Sequence, residues 1–126
     1  MTRCLLIVDD EPDLLQVVPL LLPHYAWMLA RDGQEALELM YQKRPDLALL
    51  DIVMPRMSGI KLIQAMKVDP VLDSIPIIIL SALGQQREIE AGLQAGASRF
   101  VLKPFDGEGL GQVIQDVLKT VSTERA

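Results

Sequence analysis

Short unbroken apolar runs alternate with amphipathic stretches along this chain. Cys4–Val8 is apolar throughout and ends in Asp9, Asp10 and Glu11. Asp46–Leu50 leads to Asp51, Ile75–Leu80 to Ser81 and Phe100–Leu102 to Lys103, with a weaker run at Trp27–Ala30. Apolar runs that do not alternate fit strands covered on both faces, the pattern of a parallel sheet. Between them the period changes to that of a helix. Asp32 with Glu35 predicts a capping box opening a helix to about Arg44, with Ala36, Leu37, Met40 and Tyr41 on one face. Ser58 or Gly59 opens another to about Val68, and a further helix covers about Gln85–Ala95, with Gly96 at a left-handed C-cap. The last runs from about Asp106 to Val121, where Leu110, Val113, Ile114, Val117, Leu118 and Val121 form one stripe. Gly107, Gly109 and Gly111 at its start predict a loose first turn.

The helix expected over about Pro12–Leu22 differs from the others. Pro12 suits its first turn, but Pro19 lies well inside and predicts a kink or an early end. Leu14, Leu15, Val17, Val18, Leu20, Leu21 and Leu22 make it apolar almost all round. One face belongs to the core; the surplus is either ordinary greasy surface or a docking face for a partner helix. Strand and helix thus alternate five times, which predicts an α/β fold, doubly wound, with right-handed crossovers and helices on both faces of a parallel sheet.

Composition narrows the class. At 126 residues, half of them apolar, the chain is long enough for one domain with a proper core. We expect the domain over 1–121 and a short tail over 122–126. The single cysteine, Cys4, forms no internal disulfide, and a net charge of −5 argues against a direct nucleic-acid partner. No apolar stretch approaches the roughly 18 residues of a membrane span, and Asp9–Glu11 break any secretory leader, so a cytoplasmic protein with no membrane partner is expected.

In open parallel sheets ligands gather beyond the carboxyl ends of the strands. Here those ends carry Asp9, Asp10, Glu11, Asp51, Ser81 and Lys103. Clustered carboxylates resist ionising together unless a cation joins them. Oxygen ligands without histidine or thiol suit Mg²⁺, or Mn²⁺, and such a hard ion usually accompanies a phosphoryl group. Lys103 could neutralise a phosphoryl oxygen and Ser81 hydrogen-bond another. A carboxylate can form an acyl phosphate, and Asp51, alone at its strand end, is the best nucleophile. Each group alone has a plainer reading: Asp10 or Glu11 as a helix cap, Ser81 as a turn cap, Lys103 as surface. Their coincidence at four strand ends argues for a site.

The segments LLIVDDEPD, LALLDIVMPRMSG, IPIIILSALG and AGASRFVLKPF resemble the receiver domain of two-component response regulators over nearly the whole chain. The resemblance implies a flavodoxin-like three-layer sandwich with sheet order 2-1-3-4-5. It implies Asp51 as phosphoacceptor and Mg²⁺ held by Asp10, Asp51 and the Val53 backbone carbonyl, with Asp9 completing the pocket. Ser81 and Phe100 match the family's switch pair, and Lys103–Pro104 its cis peptide bond. The implied function is a signalling switch rather than a metabolic enzyme. A phosphoryl group would come from the phosphohistidine of a sensor histidine kinase or histidine phosphotransfer protein. The fourth helix, fifth strand and fifth helix would then signal to a downstream protein or output domain, or form a homodimer. Val53 and Leu83, two residues beyond Asp51 and Ser81, are apolar and predict slow self-dephosphorylation. Two rival classes are a phosphatase-type hydrolase using an aspartyl phosphate, against which the adjacent Asp9–Asp10 pair argues, and a phosphorylation-independent interaction module. No output region follows the last helix in this sequence, so a stand-alone receiver and a fragment of a longer regulator are both expected readings.

Overall fold

A computed structural model describes residues 2–54 and 57–125. Five strands and five helices alternate: β1 (Cys4–Val8), α1 (Pro12–Leu21), β2 (Ala26–Ala30), α2 (Gly33–Gln42), β3 (Leu47–Asp51), α3 (Gly59–Lys67), β4 (Ile77–Ala82), α4 (Gln86–Ala95), β5 (Arg99–Lys103) and α5 (Gly107–Arg125). The strands pair in parallel in the order β2-β1-β3-β4-β5, the flavodoxin-like arrangement. β1 and β3 occupy the middle and are buried at every residue, which is why they read as unbroken apolar runs. β5 is an edge strand and mostly exposed.

Alternate strand residues feed two separate cores. Leu6, Val8, Leu50 and Ile79 pack with Ala36, Met40, Leu62, Ile63 and Met66 from α2 and α3. Leu5, Ile7, Leu49 and Leu80 pack with Leu15 and Val18 of α1 and with Leu110, Ile114 and Val117 of α5. The sheet is therefore covered on both faces, as a three-layer α/β sandwich requires.

Local signals set most boundaries. Asp32 Oδ1 accepts from the Glu35 N–H at 2.9 Å, and Ser58 Oγ accepts from the Lys61 N–H at 3.3 Å, fixing the starts of α2 and α3. Gly96, with φ 130°, ends α4. α2 stops at Gln42 rather than near Arg44, because Pro45 disfavours helical backbone in the residue before it. Tyr41 does not share the buried face of α2. It is 58% exposed, and its hydroxyl donates to the Asp69 carboxylate in the turn after α3.

α1 runs through Pro19 and ends two residues later at Leu21, where the Leu22 N–H still donates to the Val18 carbonyl at 3.1 Å. The first turn of α5 is closed rather than loose. Asp106 Oδ1 accepts from the Gly109 N–H at 2.6 Å, and the Asp106 carbonyl accepts from the Leu110 N–H at 3.1 Å. Gly107 and Gly111 face Leu21 and Leu22, where a Cβ would come within 3.3 and 3.2 Å of their side chains. The glycines thus let the end of α1 lie against α5. α5 also continues to Arg125, so 122–125 is helical where a tail was expected; no glycine or proline in that stretch stops it. The Val121 side chain and Ala126 lie outside the described residues.

Candidate functional site

The strand ends meet at one rim of the sheet. Asp9 follows β1 directly, Asp51 closes β3, Ser81 stands one residue from the end of β4, and Lys103 closes β5. Among the described residues, Asp9, Asp51 and Ser81 are the buried polar ones in a core that is otherwise apolar. Asp10 is exposed. One carboxylate oxygen each from Asp9, Asp10 and Asp51 lies within 4.8 Å of the others. Two of these acids fold back on their own backbone. Asp9 Oδ1 accepts from the Glu11 N–H at 2.9 Å, and Asp51 Oδ1 accepts from the Val53 N–H at 3.2 Å. Short acidic side chains make this turn readily, and it fixes which oxygen remains for other partners. The start of α3 lies hard against the same strand end. The Gly59 N–H donates to the Ile52 carbonyl at 3.1 Å, and a Cβ at Gly59 would fall 2.5 Å from the Asp51 carbonyl oxygen.

Lys103 reaches from the edge strand into this cluster. Its Nζ lies 2.8 Å from Asp9 Oδ2, 3.1 Å from Glu11 Oε1 and 3.4 Å from Asp51 Oδ2. The contacts with Glu11 and Asp51 have hydrogen-bond geometry. The contact with Asp9 is the shortest of the three and pairs the ammonium with a fully buried carboxylate oxygen. Burial works against the Lys103 ammonium, but the Asp9 carboxylate beside it and the charges of Asp51 and Glu11 outweigh that and hold its pKa above the usual lysine value. Asp51 shifts the same way for a different reason. Burial, and then the charge of Asp9, push its pKa from 3.8 up to about 6, against the opposing pull of Lys103 and the Val53 N–H.

Among the described residues negative charge is therefore in excess at this rim: Asp9, Asp10, Asp51 and Glu11 stand around the Lys103 ammonium. At an effective dielectric of about 20, two unit charges about 4 Å apart repel by about 4 kcal/mol. Three carboxylates gathered within 4.8 Å, one of them fully buried, together with a donor set made only of oxygens, fit a hard divalent cation.

Ser81 is turned toward the β4–α4 loop. Its Oγ donates to Gln85 Oε1 at 2.8 Å, with the Ala82 carbonyl at 3.2 Å, and the Ala82 N–H donates to the same Gln85 oxygen at 2.8 Å. Phe100, opposite Ile79 on β5, is 40% exposed and lies on the outer strand rather than in the core. The Lys103–Pro104 peptide is cis. Beside the acidic cluster runs a groove of about 490 Å³, lined by Glu11, Leu14, Val17, Leu21, Lys103 and Phe105 among others. It accounts for part of the apolar surplus of α1, while Leu20 is 78% exposed outside it.

Of the strand-end residues singled out from the sequence, Asp9, Asp10, Glu11, Asp51 and Lys103 thus converge, while the Ser81 side chain is engaged by the loop after β4 and Phe100 is set apart on the outer strand. Glu11, named among the strand-end acids with a helix cap as its plainer reading, stands at the N-cap of α1 but makes no capping bond with its side chain, which goes to Lys103 instead. One contributor was not foreseen. Gln85 carried no sequence signal, because its role depends on how the loop before α4 folds.

The family model of the response regulator receiver domain matches residues 5–115. The chain is 35% identical over 107 residues to the DNA-binding response regulator MtrA of Mycolicibacterium smegmatis, covering 83% of this chain and 46% of that protein. It is 34% identical over 119 residues to the phosphate regulon transcriptional regulatory protein PhoB of Pseudomonas aeruginosa, covering 93% and 52%. Among solved structures, the chemotaxis response regulator CheY4 of Vibrio cholerae superposes with a TM-score of 0.85 at 29% identity, over 93% of this chain and 99% of that one. The chain spans about half the length, or less, of the curated relatives it matches. Among the described residues no helix is long and apolar enough to cross a membrane. Fold, rim chemistry and these matches agree, and the chain belongs to the response regulator receiver domains of two-component systems.

Proposed function

We propose that this chain is a phosphorylation switch, accepting a phosphoryl group on Asp51 from the phosphohistidine of a sensor histidine kinase or a histidine phosphotransfer protein. The observation that carries the reading is the convergence of Asp9, Asp10, Asp51 and Lys103 on one rim. An Asp51 oxygen forms the new P–O bond while the donor's P–N bond breaks, and the imidazole nitrogen leaves with the electron pair. Attack requires the carboxylate, and with a pKa of about 6 Asp51 is mostly ionised at neutral pH. Lys103 offsets charge on the transferring group from a position already fixed by Asp9 and Glu11, so little reorganisation is needed.

Asp10, Asp51 and the Val53 carbonyl would hold Mg²⁺, or Mn²⁺, with Asp9 completing the pocket. When bound, that ion supplies charge neutralisation of the phosphoryl oxygens. Ser81 and Phe100 then form the switch. Ser81 leaves the loop to donate to a phosphoryl oxygen, and Phe100 moves inward from its exposed position. The readout is the α4–β5–α5 face, where Phe100 and Leu102 are both exposed, offered to a downstream protein, an output domain or a second copy of the chain. The groove beside α1 is the docking side for the phosphoryl donor, since it shares Glu11 and Lys103 with the site. We place the protein in the cytoplasm, acting as a switch rather than a metabolic enzyme. The relatives include a DNA-binding response regulator, whereas the rim of this domain is anionic and offers nothing to a nucleic acid. The test is transfer of labelled phosphate from candidate phosphohistidine donors in Mg²⁺, with Asp51→Asn as control. Label is expected on the wild type only; label persisting in the variant refutes the assignment.

A further inference from the structure

We infer that Gln85 is a positioning residue that latches the switch: its side-chain oxygen holds the Ser81 hydroxyl and the Ala82 N–H away from Asp51 and so opposes phosphoryl binding. The inference rests on the proposed reading of Asp51 and Ser81. Gln85 occupies the N-cap position of α4, yet its side chain makes no capping bond to that helix. It folds back over the loop instead. Gly84, with φ 93°, makes this turn possible, because a residue with a Cβ is strained there. The amide orientation follows from chemistry. The Ala82 N–H can only donate, so the Gln85 atom 2.8 Å away must be the carbonyl oxygen. The same oxygen lies 2.8 Å from Ser81 Oγ, and a hydroxyl has a single proton to give. That proton is therefore committed to the loop, with the Ala82 carbonyl, at 3.2 Å, as the other acceptor among the described residues.

A Ser81 that serves a phosphoryl oxygen must give up this bond. One net hydrogen bond is about 1 kcal/mol, so the latch sets the phosphoryl-facing arrangement back several-fold. Removing the acceptor removes that handicap, whereas loss of a merely structural loop bond would loosen the site and weaken ligand binding. The two readings predict opposite signs.

The experiment measures binding of beryllofluoride in saturating Mg²⁺ by calorimetry to the wild type, Gln85→Met, Gln85→Glu and Asp51→Asn. It also follows amide hydrogen exchange at Ala82, with Ile79 in the middle of β4 as a reference for an intact fold. Gln85→Met keeps the length and loses the acceptor. It is expected to bind beryllofluoride about 3- to 10-fold more tightly, with Ala82 exchange accelerated by a similar factor and Ile79 unchanged. Gln85→Glu keeps the acceptor and is expected to leave Ala82 protected and affinity no higher than wild type. Affinity in Gln85→Met that is unchanged or weaker, with Ile79 protection intact, overturns the latch while leaving the phosphoacceptor reading standing. Failure of the wild type to bind, or equal binding by Asp51→Asn, overturns that reading and the latch with it.

Discussion

Replacing Asp51 with asparagine should make the metal-free protein more stable at neutral pH. The reason is the cost of holding an ionised Asp51 beside Asp9 in a buried rim, which raises its pKa from 3.8 to about 6. Two units correspond to about 3 kcal/mol of differential interaction between the charged and neutral forms. The sign follows from linkage. The folded carboxyl binds its proton more tightly than the unfolded one, so the folded state holds more protons between these two values. Stability from this group is therefore lost as pH rises from about 4 through 6, and the full penalty is present above about 7. Asparagine resembles the protonated acid: it keeps an oxygen for the Val53 N–H and carries no charge. Urea denaturation with a chelator present should show Asp51→Asn more stable than wild type by about 1–3 kcal/mol at pH 7.5, with the gap closing by about pH 4. In melting temperature each kcal/mol is roughly 4 °C for a domain of this size. Mg²⁺ at ten times its Kd should then stabilise the wild type by about 1.4 kcal/mol and the variant far less. A variant no more stable than wild type, or a gap that does not change with pH, refutes the electrostatic account of the rim.

Two further outcomes test neighbouring parts of the site. Lys103→Met leaves buried Asp9 and Asp51 facing each other without their cation, and should destabilise the metal-free protein by about 3 kcal/mol at pH 7.5, partly restored by Mg²⁺; an unchanged urea midpoint would contradict the pairing. Val53 and Leu83, two residues beyond Asp51 and Ser81, are exposed apolar side chains and cannot orient a water, so the acyl phosphate on Asp51 should persist far longer than seconds. Val53→Asn should shorten its lifetime about tenfold, followed as loss of label, whereas decay of the wild type within seconds refutes the idea.

How far the residues alone disclosed the molecule depended on whether a feature was local. β1, β3 and the capped starts of α2 and α3 could be read directly, because a strand buried on both faces is an apolar run and a cap needs only its neighbours. The rim could be read too, since strand ends in a parallel sheet share one edge, and Asp9, Asp51, Ser81 and Lys103 each stand at such an end. What stayed hidden was set by distant contacts. Gly107 and Gly111 read as weak points in a helix until Leu21 and Leu22 are seen against them. Tyr41 fits an apolar stripe but is drawn outward by Asp69, which lies 28 residues further along the chain. Glu11 follows a run of acids like any helix-start residue, and only folding brings Lys103 to it from 92 residues away.

The reach of Lys103 also has a mechanical side. β5 lies at the outer margin of the sheet, separated from β3 by β4 and from β1 by both, yet its last side chain is moored to carboxylates at the ends of those two central strands. The charge of the central strand ends is therefore in direct contact with the border of the sheet through one side chain. A half-open margin is thereby tied to the strands most shielded from solvent.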